Sequence, residues 1–310
     1  MSLKGSWSDN PPFSKFLLAI CVIFISLLLF SFIGILVVNV VYGVNMMDIK
    51  TSIDDLSNPI NISAQKVLQN FESVGMFIVP AFALSFFFSV KPFSYLKLDR
   101  FPGVVSFLLV VLLLLASMPF INYLVAVNER MHLPSFLSGM EDWMKQTENK
   151  LSELTKNFLT INNTRDLIIT IIMIALIPAL GEELLFRGIL QRIFKEWSHN
   201  AHVGIWMSAA LFSALHFQFF GFLPRMLLGA LLGYLLEWSG KLWLPILGHF
   251  MNNAAAVLLA YFYQDKITDI DPDKFGAEKS DLIFLMISIA FTVFFLVLIY
   301  KREKKEIAIG

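Results

Sequence analysis

Three pairs of residues stand four apart in otherwise apolar stretches: Glu183 with Arg187, Phe212 with His216, and His249 with Asn253. Spacing of four puts both members of a pair on one face of a helix. Glu182 adjoins the first pair, so two carboxylates, a guanidinium, two imidazoles and a carboxamide are available from three segments. Ionisable groups cost ~2.5–3.5 kcal/mol each inside a bilayer, and each therefore asks for a reason. Such a set can activate water with a carboxylate or imidazole base and steady an oxyanion with His or Asn donors. Consecutive helical residues point ~100° apart, so Glu182 and Glu183 cannot share one direction. Arg187 is always charged, and Glu183 is its natural partner in the favoured Glu-before-Arg order. That leaves Glu182 to face a cavity toward His216 and His249. Asn252, three residues past His249, is a weaker substitute for Asn253.

The elements that must position these groups are membrane helices. Of the 310 residues, 57% are hydrophobic and only 15% charged, and 31 are Phe. Soluble domains carry about 45–50% apolar and about 25% charged residues, so this chain could not cover its apolar surface in water. Lys+Arg and Asp+Glu both total 24, which leaves no basic excess for nucleic acid. The single cysteine, Cys21, lies in an apolar run and excludes an intrachain disulfide framework. Runs long enough to span ~30 Å predict about eight helices: 16–44, 71–90, 104–127, 167–194, 203–220, 222–238, 242–263 and 282–300. The first exceeds a signal-peptide core and reads as an uncleaved span. A short surface helix is expected within 128–165. Lys and Arg crowd the short segments around 91–100, 192–195, 241 and 301–305, which predicts an N-in, C-in topology. Counting rise per residue from those segments places Glu182 and His249 in the inner half of the bilayer, reached by water from the cytoplasmic side. Arg225, beside the turn between the fifth and sixth spans, reads as a snorkelling surface residue, and Gly229-x-x-x-Gly233 as a site of close helix packing. Three parts follow: an N-terminal transmembrane region (1–165), a core holding the motifs (166–263), and an acidic outer loop, last span and basic tail (264–310).

Glu-Glu-x-x-x-Arg, then Phe-x-x-x-His, then His-x-x-x-Asn, in this order on separate hydrophobic segments, resembles the CPBP family. These are the type II CAAX prenyl endopeptidases and their bacterial relatives, including bacteriocin self-immunity proteins. The resemblance covers about Leu167 to Tyr263. It implies an all-α, eight-helix intramembrane endopeptidase of glutamic type, acting on a membrane-associated or lipidated protein or peptide. Carried over, Glu182 and His216 activate water, His249 and Asn253 stabilise the tetrahedral intermediate, and Glu183, Arg187 and Phe212 support them. Glu182, His216 and His249 could also supply one oxygen and two nitrogens to Zn2+. No His-Glu-x-x-His is present and the three groups come from three helices, so no tightly bound metal is expected to be needed. Two other readings stay open: a non-catalytic scaffold or immunity protein, and a proton-coupled transporter, for which no inverted repeat is visible.

Overall fold

The computed structural model describes residues 3–44, 58–161, 163–263 and 281–309. Among them the chain is helical throughout, with nine principal helices: α1 (Pro12–Tyr42), α2 (Ile60–Phe88), α3 (Val104–Glu129), α4 (Ser138–Phe158), α5 (Thr164–Ser198), α6 (Ala201–Ala214), α7 (Phe222–Ser239), α8 (Trp243–Tyr263) and α9 (Leu282–Ile309). Seven are long and apolar enough to cross a membrane, and α6 is a shorter apolar helix. The protein is an all-α, multi-pass integral membrane protein. The acidic outer loop expected over 264–280 lies outside the described residues.

Local signals set the boundaries. Pro12 opens α1, where its missing N–H costs nothing, and Gly43 closes it at φ 68°. Asn58, Asn163 and Asn200 cap α2, α5 and α6 by accepting from Ile60 N, Asp166 N, and His202 N with Val203 N. Gly240 ends α7 at φ 63°. The expected fifth span, 203–220, is corrected: α6 stops at Ala214, because Phe217 takes the left-handed region at φ 53° and breaks the helix. Fourteen residues rise only ~21 Å, short of the ~30 Å of a hydrocarbon core, and α6 and α7 form a hairpin with its turn at 215–221. Asn128 of α3 pins that turn, donating to Phe219 O (3.1 Å) and accepting from Leu223 N (2.8 Å). Helix α4, the surface helix expected in 128–165, roofs the turn: Glu148 accepts from Phe220 N at 2.9 Å.

Segments expected to share the inner side do meet on one face. Lys15 pairs with Glu196 at 3.0 Å, Arg192 donates to Tyr95 O at 3.2 Å, and Lys241 pairs with Glu303 and Glu306 at 3.3 and 2.6 Å. Ends of α1, α5, α7 and α9 are thereby tied together with the 95–98 segment, where Leu242 N and Trp243 Nε1 bind Lys97 O and Leu98 O.

Packing at depth depends on small residues. The Gly229/Gly233 pair of α7 does more than admit a neighbour. Its carbonyls accept from Arg187 Nη2 (3.1 Å) and Gln191 Nε2 (3.2 Å) of α5, a two-rung ladder between helices. Elsewhere Pro119 interrupts α3, and the Ser288 hydroxyl of α9 bridges the gap by accepting from Phe120 N (3.2 Å) and donating to Ala116 O (2.6 Å).

Two outcomes are expected. A Cβ at Gly233 would stand 2.7 Å from Gln191 Oε1 and 2.9 Å from Ile205 Cγ2. Gly233→Ala should thus cost about 1–3 kcal/mol, whereas Gly139→Ala, which meets nothing within 4 Å, should be neutral or slightly stabilising. Thermal unfolding in detergent compares the two. The second concerns the Glu141 carboxylate, held at about 2 by Lys145, His132 and the Leu133 N–H, below the 4.5 of a free glutamate. A lowered folded value contributes stability above pH ~4.5 and loses it as pH falls toward ~2. Hydrogen-exchange protection over 130–145, taken relative to intrinsic exchange at each pH, should therefore be higher at pH 5 than at pH 3.

Candidate active site

Helix α5 carries two π-turns, Ile171–Leu176 and Glu183–Leu190, which frame Glu182. A π-turn displaces backbone carbonyls from the regular ladder, and in a bilayer they must find other donors. Ser208 of α6 supplies one, its hydroxyl donating to Phe186 O at 2.9 Å. Asn253 of α8 supplies another, its carboxamide donating to Ile174 O at 3.3 Å.

At the second π-turn Arg187 Nη1 donates to Glu183 Oε1 at 2.7 Å, with the two side chains 1% and 0% exposed. The same Glu183 oxygen accepts from His249 Nδ1 at 2.8 Å. Arg187 is further held by Gly229 O and by the Phe212 ring, 4.5 Å beneath its guanidinium. Phe212 also stands edge-on to Phe186, His216 and His249, with centroids 5.2, 4.8 and 5.9 Å away. It is the spacer that sets both imidazoles and the guanidinium apart.

Glu182 faces the other way, as expected from its neighbour's pairing. Its Oε2 lies 3.8 Å from His249 Nε2 and 4.0 Å from His216 Nε2. Both distances exceed a direct hydrogen bond, and Glu182 Oε2 is buried with no hydrogen-bond partner among the described residues. The partners of each Nδ1 decide the tautomers. A carbonyl and a carboxylate can only accept, so His216 Nδ1, 2.7 Å from Phe212 O, and His249 Nδ1, 2.8 Å from Glu183, both carry hydrogen. When neutral, both rings turn a bare Nε2 toward a bare carboxylate oxygen. Three acceptors around one point call for a donor between them, and a water molecule has the size and hydrogens for it.

A tetrahedral zinc with bonds of ~2.0–2.1 Å would hold its ligand atoms ~3.3–3.4 Å apart. The observed 3.8 and 4.0 Å are wider, and no group of three or more His, Cys, Asp or Glu among the described residues is drawn to metal-holding spacing. As placed, the three residues do not fit that ion.

Glu182, His216 and His249 are thus brought together, with Glu183, Arg187 and Phe212 directly behind them. His216 sits on the turn after α6 rather than within a span, its side chain 32% exposed. Asn253 is turned to Ile174 O, with Asn252 donating to its Oδ1 at 3.3 Å. Spacing alone gave no sign of the Gly229 and Gly233 carbonyls or the Ser208 hydroxyl as partners of α5. Nor did it show Arg225 for what it is. Arg225 donates to both the carbonyl and the side-chain oxygen of Gln218 on the His216 turn, which corrects its reading as a snorkelling side chain.

Residues 164–255 match a protein family described as type II CAAX prenyl endopeptidase Rce1-like. The uncharacterized protein YpbD of Bacillus subtilis (strain 168) is 36% identical over 88 residues, which are 27% of this chain and 42% of that protein. The chain therefore spans less than half the length of this relative. No solved structure matches. The stretch from α5 into α8 is therefore similar to this family, where the resemblance read from the three motifs also lies.

Replacing the two glutamates should separate their roles. Glu183→Gln strands the buried Arg187 and frees His249 Nδ1, and should lower stability by ~3–5 kcal/mol. Glu182→Gln removes a carboxylate oxygen that has no partner and should leave the unfolding midpoint nearly unchanged. Thermal unfolding of the purified variants checks both, and the reverse order would exchange the roles.

Proposed function

We propose that the protein hydrolyses a peptide bond of a membrane-associated or lipidated protein or peptide, using water activated at Glu182. The observation that supports this best is the buried Glu182 Oε2, unpartnered and faced by two imidazole Nε2 atoms at 3.8 and 4.0 Å. In this reading water lies between Glu182 and His216 and attacks the scissile carbonyl carbon, its proton passing to Glu182. The C–N bond then breaks as that proton is delivered to the leaving amine, and the carbonyl is restored as a carboxylic acid. Charge builds on the carbonyl oxygen between these steps. His249 faces it through Nε2 while Glu183 holds the opposite edge of the ring. Asn253 spends one amide hydrogen on Ile174 O and keeps a second for the same oxyanion.

Orientation belongs to the same proposal. With the face that gathers Lys15, Arg192 and Lys241 inside, the site lies in the inner half of the bilayer. Glu182 is ten residues, or ~15 Å, from Arg192, and His249 is seven residues, or ~10 Å, from Leu242. His216 reaches the same level because α6 starts below Arg192, at the foot of an α5 that runs on to Ser198.

In cells, Glu182→Gln should abolish the cleavage product of a membrane protein, with turnover reduced on the order of 10²–10⁴-fold and expression unchanged. Quantitative comparison of cleaved and uncleaved membrane proteins in the two strains measures this. Cleavage that persists in the variant would remove Glu182 from the chemistry. Prolonged dialysis against a zinc chelator should leave activity of the purified protein intact, and activity lost with the metal and restored by zinc would reverse that expectation.

A further inference from the structure

A cavity of about 590 Å³ opens on the face where the ends of α1, α5, α7 and α9 are tied together. Its walls are the 95–97 segment, α5 from Arg187 to His199 (~18 Å along the axis) and the end of α7. The chemistry at Glu182 makes no use of it. Lys97, Arg187, Arg192 and Lys195 bring positive charge to the lining, against the carboxylates of Glu196 and Glu237. Both acids are already engaged. Glu237 pairs with Lys195 at 2.6 Å, and Glu196 with Lys15 at 3.0 Å and Arg192 at 3.3 Å. Arg187 is neutralised by Glu183. Two positive charges are therefore in surplus, that of Lys97 and one of the two that share Glu196. Asp99, close to Lys97 in the chain, bonds the Ser94 hydroxyl instead, at 2.7 Å.

The backbone adds a second observation. Lys97 takes the left-handed region at φ 57°, which strains any residue with a Cβ and favours glycine. Glycine does stand at another left-handed position of the lining, Gly240 at φ 63°. The exposed Lys97 ammonium makes no hydrogen bond or ion pair among the described residues. A cation held on a glycine-like backbone, with no partner inside the chain, is placed for a partner outside it. Arg192 is prepared in the same sense. Its guanidinium lies 3.9 Å over the Tyr95 ring, with Nε on Glu196 and Nη1 on Tyr95 O, so its plane is fixed and Nη2 is left as a donor. Two donors from separate elements suit the tetrahedral oxygens of a phosphate. Basic pockets between membrane helices, at the level of the headgroups, are where lipid phosphates bind. We propose that this cavity binds a phosphate group, carried by an anionic phospholipid or free in solution, with Lys97 and Arg192 as its donors. The inference concerns binding and stands or falls independently of the hydrolytic reading.

The test uses the full chain in nanodiscs of phosphatidylcholine. One arm adds phosphatidylglycerol to the disc, and the other adds inorganic phosphate to the buffer, against chloride of equal ionic strength. A ligand that binds the folded state raises the unfolding midpoint, so a rise in either arm supports the site and tells which source supplies the phosphate. No rise in either arm would overturn the inference. A polyglutamate peptide that raises the midpoint where both phosphates fail would do so too, in favour of an acidic protein partner. Variants then locate the site. Lys97→Gly suits the backbone and should fold as well as wild type, yet bind the active probe about five- to tenfold more weakly, the scale of one lysine at an anionic surface. Lys97→Arg, which keeps the charge, should bind nearly as wild type. Lys301→Gln removes an exposed cation of α9 that is not part of the lining, and should leave affinity unchanged. Wild-type affinity in Lys97→Gly, or an equal loss in Lys301→Gln, would reduce the effect to general surface charge and sink the idea.

Discussion

One buried carboxylate organises the site. Glu183 is fully enclosed, and a single oxygen accepts from Arg187 at 2.7 Å and from His249 at 2.8 Å. Without Glu183, a guanidinium 1% exposed would have no countercharge, and the His249 ring would have nothing to fix its rotation. Arg187 in turn reaches α7 through Gly229 O and α6 through the face of Phe212. Four helices are thereby registered against one another by one ion pair. Because Glu183 is consumed in this way, Glu182 can stay unpaired, at a right angle on the next residue. In the proposed function the adjacent glutamates divide one task into support and reaction.

Irregular backbone serves the same end. The two π-turns of α5 and the break at Phe217 each release carbonyls or N–H groups that a bilayer would punish. Side chains supply several of the partners: Ser208 for Phe186 O, Asn253 for Ile174 O, Asn128 and Glu148 for the turn. Backbone distortion and the geometry of the candidate site are therefore coupled. The hairpin of α6 and α7 brings His216 beside Glu182, and the roof formed by α4 holds the turn there.

The groups that meet at the candidate site were legible in the sequence because charge in an apolar run has few explanations and helical spacing converts directly into shared faces. Glu183 with Arg187, and Glu182 turned elsewhere, follow from four-residue spacing and the 100° step alone. His216 was legible as a residue but not as a position. Apolar composition continues from 203 to 220 without a break, and only the left-handed backbone at Phe217 ends the helix. Arg225 and Gly233 escaped for another reason. Arg225 donates to the carbonyl and side-chain oxygen of Gln218 on a turn, and the Gly233 carbonyl accepts from Gln191, and a backbone acceptor leaves no trace in side-chain patterning. Asn253 shows the limit from the other side, since its spacing from His249 is correct while its carboxamide is spent in part on a carbonyl that only the π-turn exposes.

The account turns on water, rather than a carboxylate oxygen, forming the new bond. A single turnover in heavy-oxygen water, with enzyme in excess over a cleavable peptide, tests it directly. Direct attack by water activated at Glu182 predicts one heavy oxygen in the new C-terminal carboxylate of the product and none in the Glu182 side chain. A product that carries ordinary oxygen after one turnover, with the heavy isotope found in Glu182 instead, would mean that the carboxylate itself attacks, and would contradict the account.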